Sequence, residues 1–182
     1  MPATPPGDQV DAIVAAWHRE RPDLDVAPLH VLSRLTRLAR HLDLARREAF
    51  AQHGLEPGEF DVLAALRRSG APYELSPGRL AAGTMVTSGT MTNRLDRLES
   101  DALIERIPDR DDRRSVRVRL TPAGRDRVDA ALTDLLARER ILLAGLSEHD
   151  AEQLTRLLRM LMVPFDAGES AGQEAKLPGL AG

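Results

Sequence analysis

Cysteine is absent from this 182-residue sequence, which excludes disulfides, thiolate metal sites and redox-sensing thiols. Aromatic residues make up only 3% of the chain, and the apolar residues are dominated by leucine and alanine, which favours helices. Long apolar runs are also missing, since none approaches the ~20 residues needed to cross a bilayer, and the first residues lack a signal-peptide pattern. We therefore expect a mostly α-helical, soluble protein that stays in the cytoplasm and does not bind membranes.

Basic residues are slightly fewer than acidic ones in the whole chain, but they are concentrated in its middle. The formal net charge is −3, which by itself does not indicate nucleic-acid binding. Between Arg79 and Arg127, however, 11 arginines and 8 acidic residues give a local charge of +3, so the rest of the chain carries −6. Contact with phosphates requires only a local basic surface. The middle segment is therefore the candidate nucleic-acid surface, with ordinary surface charge as the alternative.

Helical periodicity divides the chain into two terminal segments and a folded region. Residues 1–7 and 166–182 are rich in Gly, Pro and Ala without apolar periodicity, so we expect both to be disordered and flexible. Between them, apolar residues spaced three and four apart predict amphipathic helices. These predicted helices span residues 8–21, 28–54, 56–68, 121–142 and 147–165.

Two short helices around a tight turn are predicted in the middle of the chain. Ser76 and Pro77 form an N-cap and first-turn pair for the first of them, and a turn at Gly83 ends it. Thr87 caps the second, which extends to about Asp101. This arrangement is typical of a helix-turn-helix, although such patterns also occur by chance.

A β-hairpin is predicted directly after these helices. Residues 103–107 are strand-like, residues 108–114 are polar, and residues 115–120 alternate apolar side chains with arginine. Residues 73–75 are a candidate for one more short strand. A hairpin that follows a helix-turn-helix is a wing.

Three stretches of these residues resemble the MarR family of winged helix-turn-helix transcription regulators. They are TSGTMTNRLDRLE at Thr87–Glu99, DRDDRR at Asp109–Arg114, and LTPAG at Leu120–Gly124. The resemblance follows the element order from about residue 29 to residue 165. It implies a mainly α fold with a small β-hairpin wing and a DNA-binding regulator, for which repression is the family default.

The resemblance also implies a triangular homodimer in which the terminal helices pair and the wings flank the DNA. The domain is then residues 8–165, with dimerisation helices in 8–54 and 121–165 and the DNA-binding lobe in 55–120. The residues support a dimer independently, because the apolar stripes of the terminal helices are longer than one small lobe can cover. A two-fold dimer predicts a pseudo-palindromic operator in double-stranded DNA, with half-sites ~10 base pairs apart.

The second short helix has one apolar and one polar face. At roughly 100° per residue, Met91, Leu95, Leu98 and Ala102 fall on the face that we expect to be buried. The polar side offers donors and acceptors suited to base edges or phosphates, although an ordinary solvated face is the alternative. The candidate DNA-binding residues of this helix and its cap are Thr87, Ser88, Gly89, Thr90, Asn93 and Arg97.

The wing tip carries many charged residues, and its positive and negative charges nearly cancel, so not all of its arginines can touch DNA. The resemblance implies that one tip arginine enters the minor groove and that an Asp–Arg pair stiffens the hairpin. We assign Arg113 to DNA, and Asp112 with Arg114 to wing support. Arg110 is the other DNA-binding candidate, and the roles of Arg110 and Arg113 can be exchanged.

The predicted leading helix carries Trp17, the sole tryptophan, and is an addition to the basic MarR pattern. A PecS-like branch of the family that responds to urate has such a helix, together with an Asp and two Arg. The resemblance therefore implies a ligand site for urate or another small organic anion or aromatic effector. Its candidate residues are Trp17, Asp61, Arg94 and Arg106.

Helical phase separates Arg94 from the DNA-facing residues, since it lies about 60° to 70° from the centre of the buried face. Paired with Asp61, Arg94 would tie the recognition helix to the scaffold, and a competing anion would shift that helix and release the DNA. The alternative is a purely structural salt bridge between Asp61 and Arg94, with Trp17 packing the extra helix onto the core.

Other classes of function find little support in the sequence. There is no His-Glu-x-x-His, no phosphate-binding Gly-Lys-Ser and no cysteine nucleophile, so we expect neither an enzyme nor a cofactor or metal ion. A winged-helix module that binds a protein is the second alternative. Salt-sensitive binding to random duplex DNA distinguishes it from a DNA-binding protein, because counterion release governs only the latter.

Overall fold

The computed structural model describes residues 7–84, 87–109 and 115–171. Helices dominate it, and the predicted class, mainly α with a small β-hairpin, is confirmed. The helices are α1 (Gln9–Glu20), α2 (Pro28–Ala51), α3 (Pro57–Arg68), α4 (Pro77–Thr84), α5 (Ser88–Ser100), α6 (Pro122–Leu143) and α7 (Glu148–Ala171). The strands are β1 (Glu74–Leu75), β2 (Ile104–Pro108) and β3 (Val116–Leu120). No helix in these described ranges combines the length and the apolar character needed to cross a membrane.

The final helix extends further than the sequence analysis predicted. Residues 166–171, assigned there to the flexible tail, belong to α7, and Pro164 lies inside the helix. Helix propagation adds a backbone hydrogen bond for each further residue without requiring an apolar stripe, which is why periodicity underestimated the length. The remainder of that predicted tail, residues 172–182, lies outside the described residues, as do residues 1–6 of the predicted N-terminal segment.

The wing is part of a three-stranded antiparallel sheet in the order β1-β3-β2. Strands β2 and β3 form the predicted hairpin, with Ile104 opposite Leu120 and Pro108 opposite Val116. Strand β1, which follows α3, pairs with β3 on its other side. The wing is therefore attached to the lobe along a strand as well as through the hairpin's own chain.

One apolar core holds the lobe together. It lies within the first of two compact units, which ends at Leu135, and it includes side chains from α2, α3, α4, α5, the sheet and the first half of α6. The rings of Phe50 and Phe60 stack with their centroids 4.0 Å apart at the junction of α2 and α3. The largest fully buried side chains include Phe50, Leu63, Leu66, Leu80, Met91, Leu98, Leu103, Ile104, Val118 and Val128.

The start of α6 is held against the chain that leads into the wing. The Thr121 N–H donates to the Leu103 carbonyl at 3.1 Å, and the Thr121 hydroxyl accepts from the Gly124 N–H at 3.0 Å as an N-cap. Gly124 permits this approach, because a Cβ built there would lie 2.0 Å from the Leu103 carbonyl oxygen. The Thr and Gly of the LTPAG sequence thus have local structural roles, as the N-cap of α6 and as the site of its close approach to Leu103.

Helix α1 is attached to α2 by an ion-pair cluster. Arg34 Nη2 lies 2.7 Å from Asp11 Oδ1, and Arg34 Nε lies 2.9 Å from Asp8 Oδ2. Asp8 is also the N-cap of α1, in a capping box with Asp11. The hydrogen bonds from Arg34 lower the pKa of both carboxyl groups from their ordinary value of 3.8.

Acid is expected to weaken the attachment of α1 to α2 only below the ordinary pKa range of aspartate. Because the pKa values of Asp8 and Asp11 are lowered in the folded chain, their stabilising contribution is fully present above 3.8 and is lost as the pH falls through the lower folded values. The fluorescence of Trp17, the sole tryptophan, reports this step. In Arg34→Gln the emission change should begin at higher pH, and an unchanged midpoint would contradict the assignment.

Candidate nucleic-acid interface

Helix α5 is seated on the lobe by its apolar face. Met91, Leu95 and Leu98 are buried, as the helical phase predicted. The prediction that Ala102 shares this face is wrong. The helix ends at Ser100, and Ala102 follows as an exposed residue with a φ of 56°. Because this left-handed residue turns the chain, Leu103 is buried in its place.

The opposite side of α5 is polar and open to solvent at its N-terminal end. Thr87 is the N-cap, and its side chain accepts from the Thr90 N–H at 3.4 Å. The next residue, Ser88, begins the helix. Gly89, Thr90 and Asn93 are exposed. Backbone N–H groups at a helix N-terminus attract anions, and these short side chains let a phosphate or base edge approach closely.

Arg97, also predicted to contact DNA, is already bound to the first turn of α3. Its Nη1 lies 2.7 Å from Glu56 Oε1, and its Nε lies 3.1 Å from Glu59 Oε1. The hydrogen bond to Glu56 and the nearby charge of Glu59 raise the pKa of Arg97. Its side chain nevertheless keeps 59% of its surface exposed. The guanidinium is therefore held by protein on one side and open to solvent on the other.

Arg106 connects the wing to α5. It lies on β2, and its Nη2 donates to Asp96 Oδ1 at 2.6 Å while its Nη1 donates to Glu99 Oε2. The Arg106 backbone N–H also donates to Glu99 Oε1 at 3.1 Å. Partial burial lowers the pKa of Arg106, but the bonds to Asp96 and Glu99 outweigh it and raise the pKa overall. Helix α5 and the wing are thus joined by charge as well as by chain.

The base of the wing is closed by charge pairs that sequence reasoning missed. Arg119 lies 2.7 Å from the nearly buried Glu74 of β1 and 3.2 Å from Glu105 of β2. Arg117 lies 3.6 Å from Asp109. Cross-strand pairing of Glu105 with Arg119 is readable from a hairpin register, but the contribution of Glu74 requires knowing that β1 joins the sheet.

The predicted wing-tip residues lie outside the described part of the chain. The DNA-contact candidates among them are Arg110 and Arg113, and the wing-support pair is Asp112 and Arg114. Those four assignments stay predictions from the sequence. The described ends of the hairpin meet just below the tip, where the Asp109 N–H donates to the Ser115 carbonyl at 2.9 Å.

No hydrogen bond or ion pair links the predicted ligand residues to one another in the described part of the chain. The expected pair of Asp61 with Arg94 is wrong for this chain, because Asp61 lies 3.6 Å from Arg46 of α2 instead. Arg94 is half-buried, as its phase suggested, and its guanidinium lies over Gly58, where an added Cβ would come within 2.2 Å of Cζ. In the described residues Arg94 forms no ion pair. Trp17 is 50% exposed on α1.

A groove of about 550 Å³ lies elsewhere, between α1, the following loop and the start of α2. Its apolar side is formed by Val14, Leu24 and Val26, and its polar side includes His18 and Asp25. The predicted ligand residues are not among those that line it. Across the described ranges, no cluster of His, Asp and Glu side chains is suited to a metal ion.

The chain is similar to known regulators over most of its length. A model of the MarR family matches residues 53–115. The HTH-type transcriptional regulator PecS of Dickeya dadantii is 40% identical over 150 residues, which cover 82% of this chain and 90% of PecS. The HTH-type transcriptional repressor YetL of Bacillus subtilis is 25% identical over 136 residues, 75% of this chain and 81% of YetL. The crystal structure of a mutant MarR from E. coli, 26% identical, has a TM-score of 0.61 and covers 72% of this chain and 96% of that one.

Proposed function

Because the chain belongs to the MarR family of DNA-binding transcriptional regulators, we propose that it binds a pseudo-palindromic operator as a homodimer. It acts there as a repressor, and a small anionic or aromatic ligand releases it from the DNA. The family makes it a regulator and not an enzyme. The observation that carries the proposal is α5, whose apolar face is buried in the lobe while its capped N-terminal end offers Gly89, Thr90 and Asn93 to solvent. A repressor is chosen because YetL, a relative of this chain, is one.

The homodimer is supported by apolar side chains that a single chain leaves open. On α2, Val31 and Leu38 are 53% and 45% exposed, and on α7, Leu161 and Phe165 are 48% and 43% exposed. Apolar patches of this kind on a monomer mark an interface. In a two-fold dimer each chain presents one α5, so the operator half-sites lie about one helical turn, ~10 base pairs, apart.

The ligand site is proposed around Arg94, with Trp17, Asp61 and Arg106 as the further candidates. A half-buried guanidinium without an ion-pair partner in the described residues attracts an anion. Arg94 lies over Gly58 on the first turn of α3, and Asp61, one turn further on, pairs with Arg46 of α2. A ligand on Arg94 therefore acts at the contact between α5 and α3, and α3 is tied to α2. The coupling free energy between ligand binding and DNA binding in such a system is typically about 1–3 kcal/mol.

The test is a mobility shift on the DNA immediately upstream of the coding region, with and without urate. We expect a discrete, salt-sensitive shift that urate reverses. Arg94→Ala should bind the same DNA but lose the release by urate, because the anion has lost its main charge partner. Arg19→Ala, at an exposed position of α1, is the matched control and should respond like the unaltered protein.

Each other result rejects a different part of the proposal. A specific shift that urate does not reverse rejects urate as the effector and leaves the DNA-binding regulator. Equal release of Arg94→Ala and the unaltered protein rejects Arg94 as the anion site. If even random duplex DNA fails to bind at low salt, the winged lobe is a protein-binding module and the operator proposal is wrong.

A further inference from the structure

The two carboxylates that bind Arg97 differ sharply in burial. The Glu59 side chain is 4% exposed, whereas the Glu56 side chain is 64% exposed. Glu59 is also the buried charged residue of the described core. A buried carboxylate requires partners on its oxygens. Glu59 is therefore a buried carboxylate of the lobe, and Glu56 is a solvent-exposed partner at its surface.

One hydrogen bond and one ion pair engage the two oxygens of Glu59. Its Oε2 accepts from the Glu56 backbone N–H at 2.8 Å, which closes the capping box of α3. Its other oxygen, Oε1, lies 3.1 Å from Arg97 Nε. The Nε side of the guanidinium thus faces a buried carboxylate. Its outer nitrogen, Nη1, is 2.7 Å from the exposed Glu56.

We propose that Glu59 is a positioning residue for DNA binding and that Glu56 competes with DNA for Arg97. The inference rests on the proposed function, in which α5 contacts the operator. A guanidinium has five N–H donors in a rigid fork, so Nε can stay on Glu59 while the Nη groups bind a phosphate. When DNA arrives, the phosphate takes the place of Glu56 on Nη1. Glu59 keeps Arg97 directed outwards both before and after that exchange.

This arrangement predicts effects of opposite sign for two neighbouring carboxylates. If the only influence of Glu56 and Glu59 were their negative charge, neutralising either would strengthen DNA binding, because repulsion from the phosphates falls. Positioning reverses the sign for Glu59 alone, because Arg97 without it loses its orientation and must be ordered upon binding. The direction of the affinity change caused by neutralising Glu59 therefore distinguishes positioning of Arg97 from a general charge effect.

The experiment compares Glu56→Gln and Glu59→Gln in the full chain, each alone and combined with Arg97→Ala. Binding of a labelled operator duplex and a random duplex is followed by fluorescence anisotropy over a range of salt concentrations. Glu56→Gln should bind the operator about three- to tenfold more tightly and Glu59→Gln about three- to tenfold more weakly. In the Arg97→Ala background the weakening by Glu59→Gln should disappear, and only the general charge effect of each neutralised carboxylate should remain. The salt slope should fall by about one.

Glutamine at position 59 is a suitable replacement because its amide oxygen can still accept the Glu56 N–H in the capping box. Thermal denaturation checks that the fold is kept. Should Glu59→Gln lose stability, Arg97→Lys tests the same idea without altering α3. Lysine keeps the charge but lacks the fork, so its operator affinity should fall close to that of Arg97→Ala.

Three results overturn the inference, and they differ from a failure of the proposed function. Tighter binding by Glu59→Gln leaves only a charge effect and removes the positioning role. If Glu59→Gln still weakens binding in the Arg97→Ala background, that effect does not act through Arg97. An unchanged affinity of Arg97→Ala removes this arginine from the interface while DNA binding stands. If the unaltered protein binds neither duplex at low salt, the proposed function itself is wrong.

Discussion

Replacing Gly124 by alanine is expected to destabilise the folded chain by about 3 kcal/mol or more. The new Cβ would lie 2.0 Å from the Leu103 carbonyl oxygen. That oxygen belongs to the backbone and accepts the Thr121 N–H at 3.1 Å, so it cannot move aside as a flexible side chain would. For a protein of this size the melting temperature should fall by about 6–12 °C in calorimetry.

Gly78→Ala is the matched control, because a Cβ at this position of α4 would meet nothing within 4 Å. Alanine is also a better helix former than glycine. We expect the melting temperature of this variant to stay the same or rise slightly. Equal melting temperatures for Gly124→Ala and the unaltered protein would mean that α6 can retreat from Leu103 at no cost, and the close approach would have no structural importance.

Replacing Leu161 by aspartate is expected to raise the dissociation constant of the proposed homodimer at least about a thousandfold. An unpaired buried charge costs about 3–5 kcal/mol, and a two-fold interface contains the change twice. Leu161 lies on α7 and is 48% exposed in the single chain. Sedimentation velocity at micromolar concentration should show a monomer. Operator binding should weaken as well, because the two half-sites are no longer bound by one molecule.

Gln153→Asp introduces the same charge at an exposed polar position of α7 and should leave the dimer intact. A dimeric Leu161→Asp would place the interface away from α7. A monomeric unaltered protein would contradict the homodimer itself, whatever the behaviour of the variant. The two variants therefore distinguish a wrong face from a wrong assembly.

Local signals in the sequence predicted most of the helices and the wing. Ser76 and Thr87 cap α4 and α5 as expected, because an N-cap depends on one residue and the three that follow it. Apolar spacing correctly placed Met91, Leu95 and Leu98 on the buried face of α5. Signals of this kind need no knowledge of distant residues, which is why they survive in a single sequence.

Pairing between elements could not be predicted in the same way. The chain has many arginines and many carboxylates, and helical phase restricts the direction of a side chain without naming its partner. Arg94 was expected on Asp61, but Asp61 pairs with Arg46. The bonds of Arg106 to Asp96 and Glu99 were likewise not predicted from the sequence. These partners depend on the packing of α3, α5 and β2, which only the folded chain defines.

The residues of helix α5 fall into groups with different structural roles. Exchange of Leu95 or Leu98 disturbs the core, and exchange of Asp96 or Glu99 removes one of the ion pairs between α5 and the wing. Asn93, on the exposed face, is subject to neither constraint. Under the proposed function, operator preference can therefore change by substitution at this position while the fold is inherited unchanged.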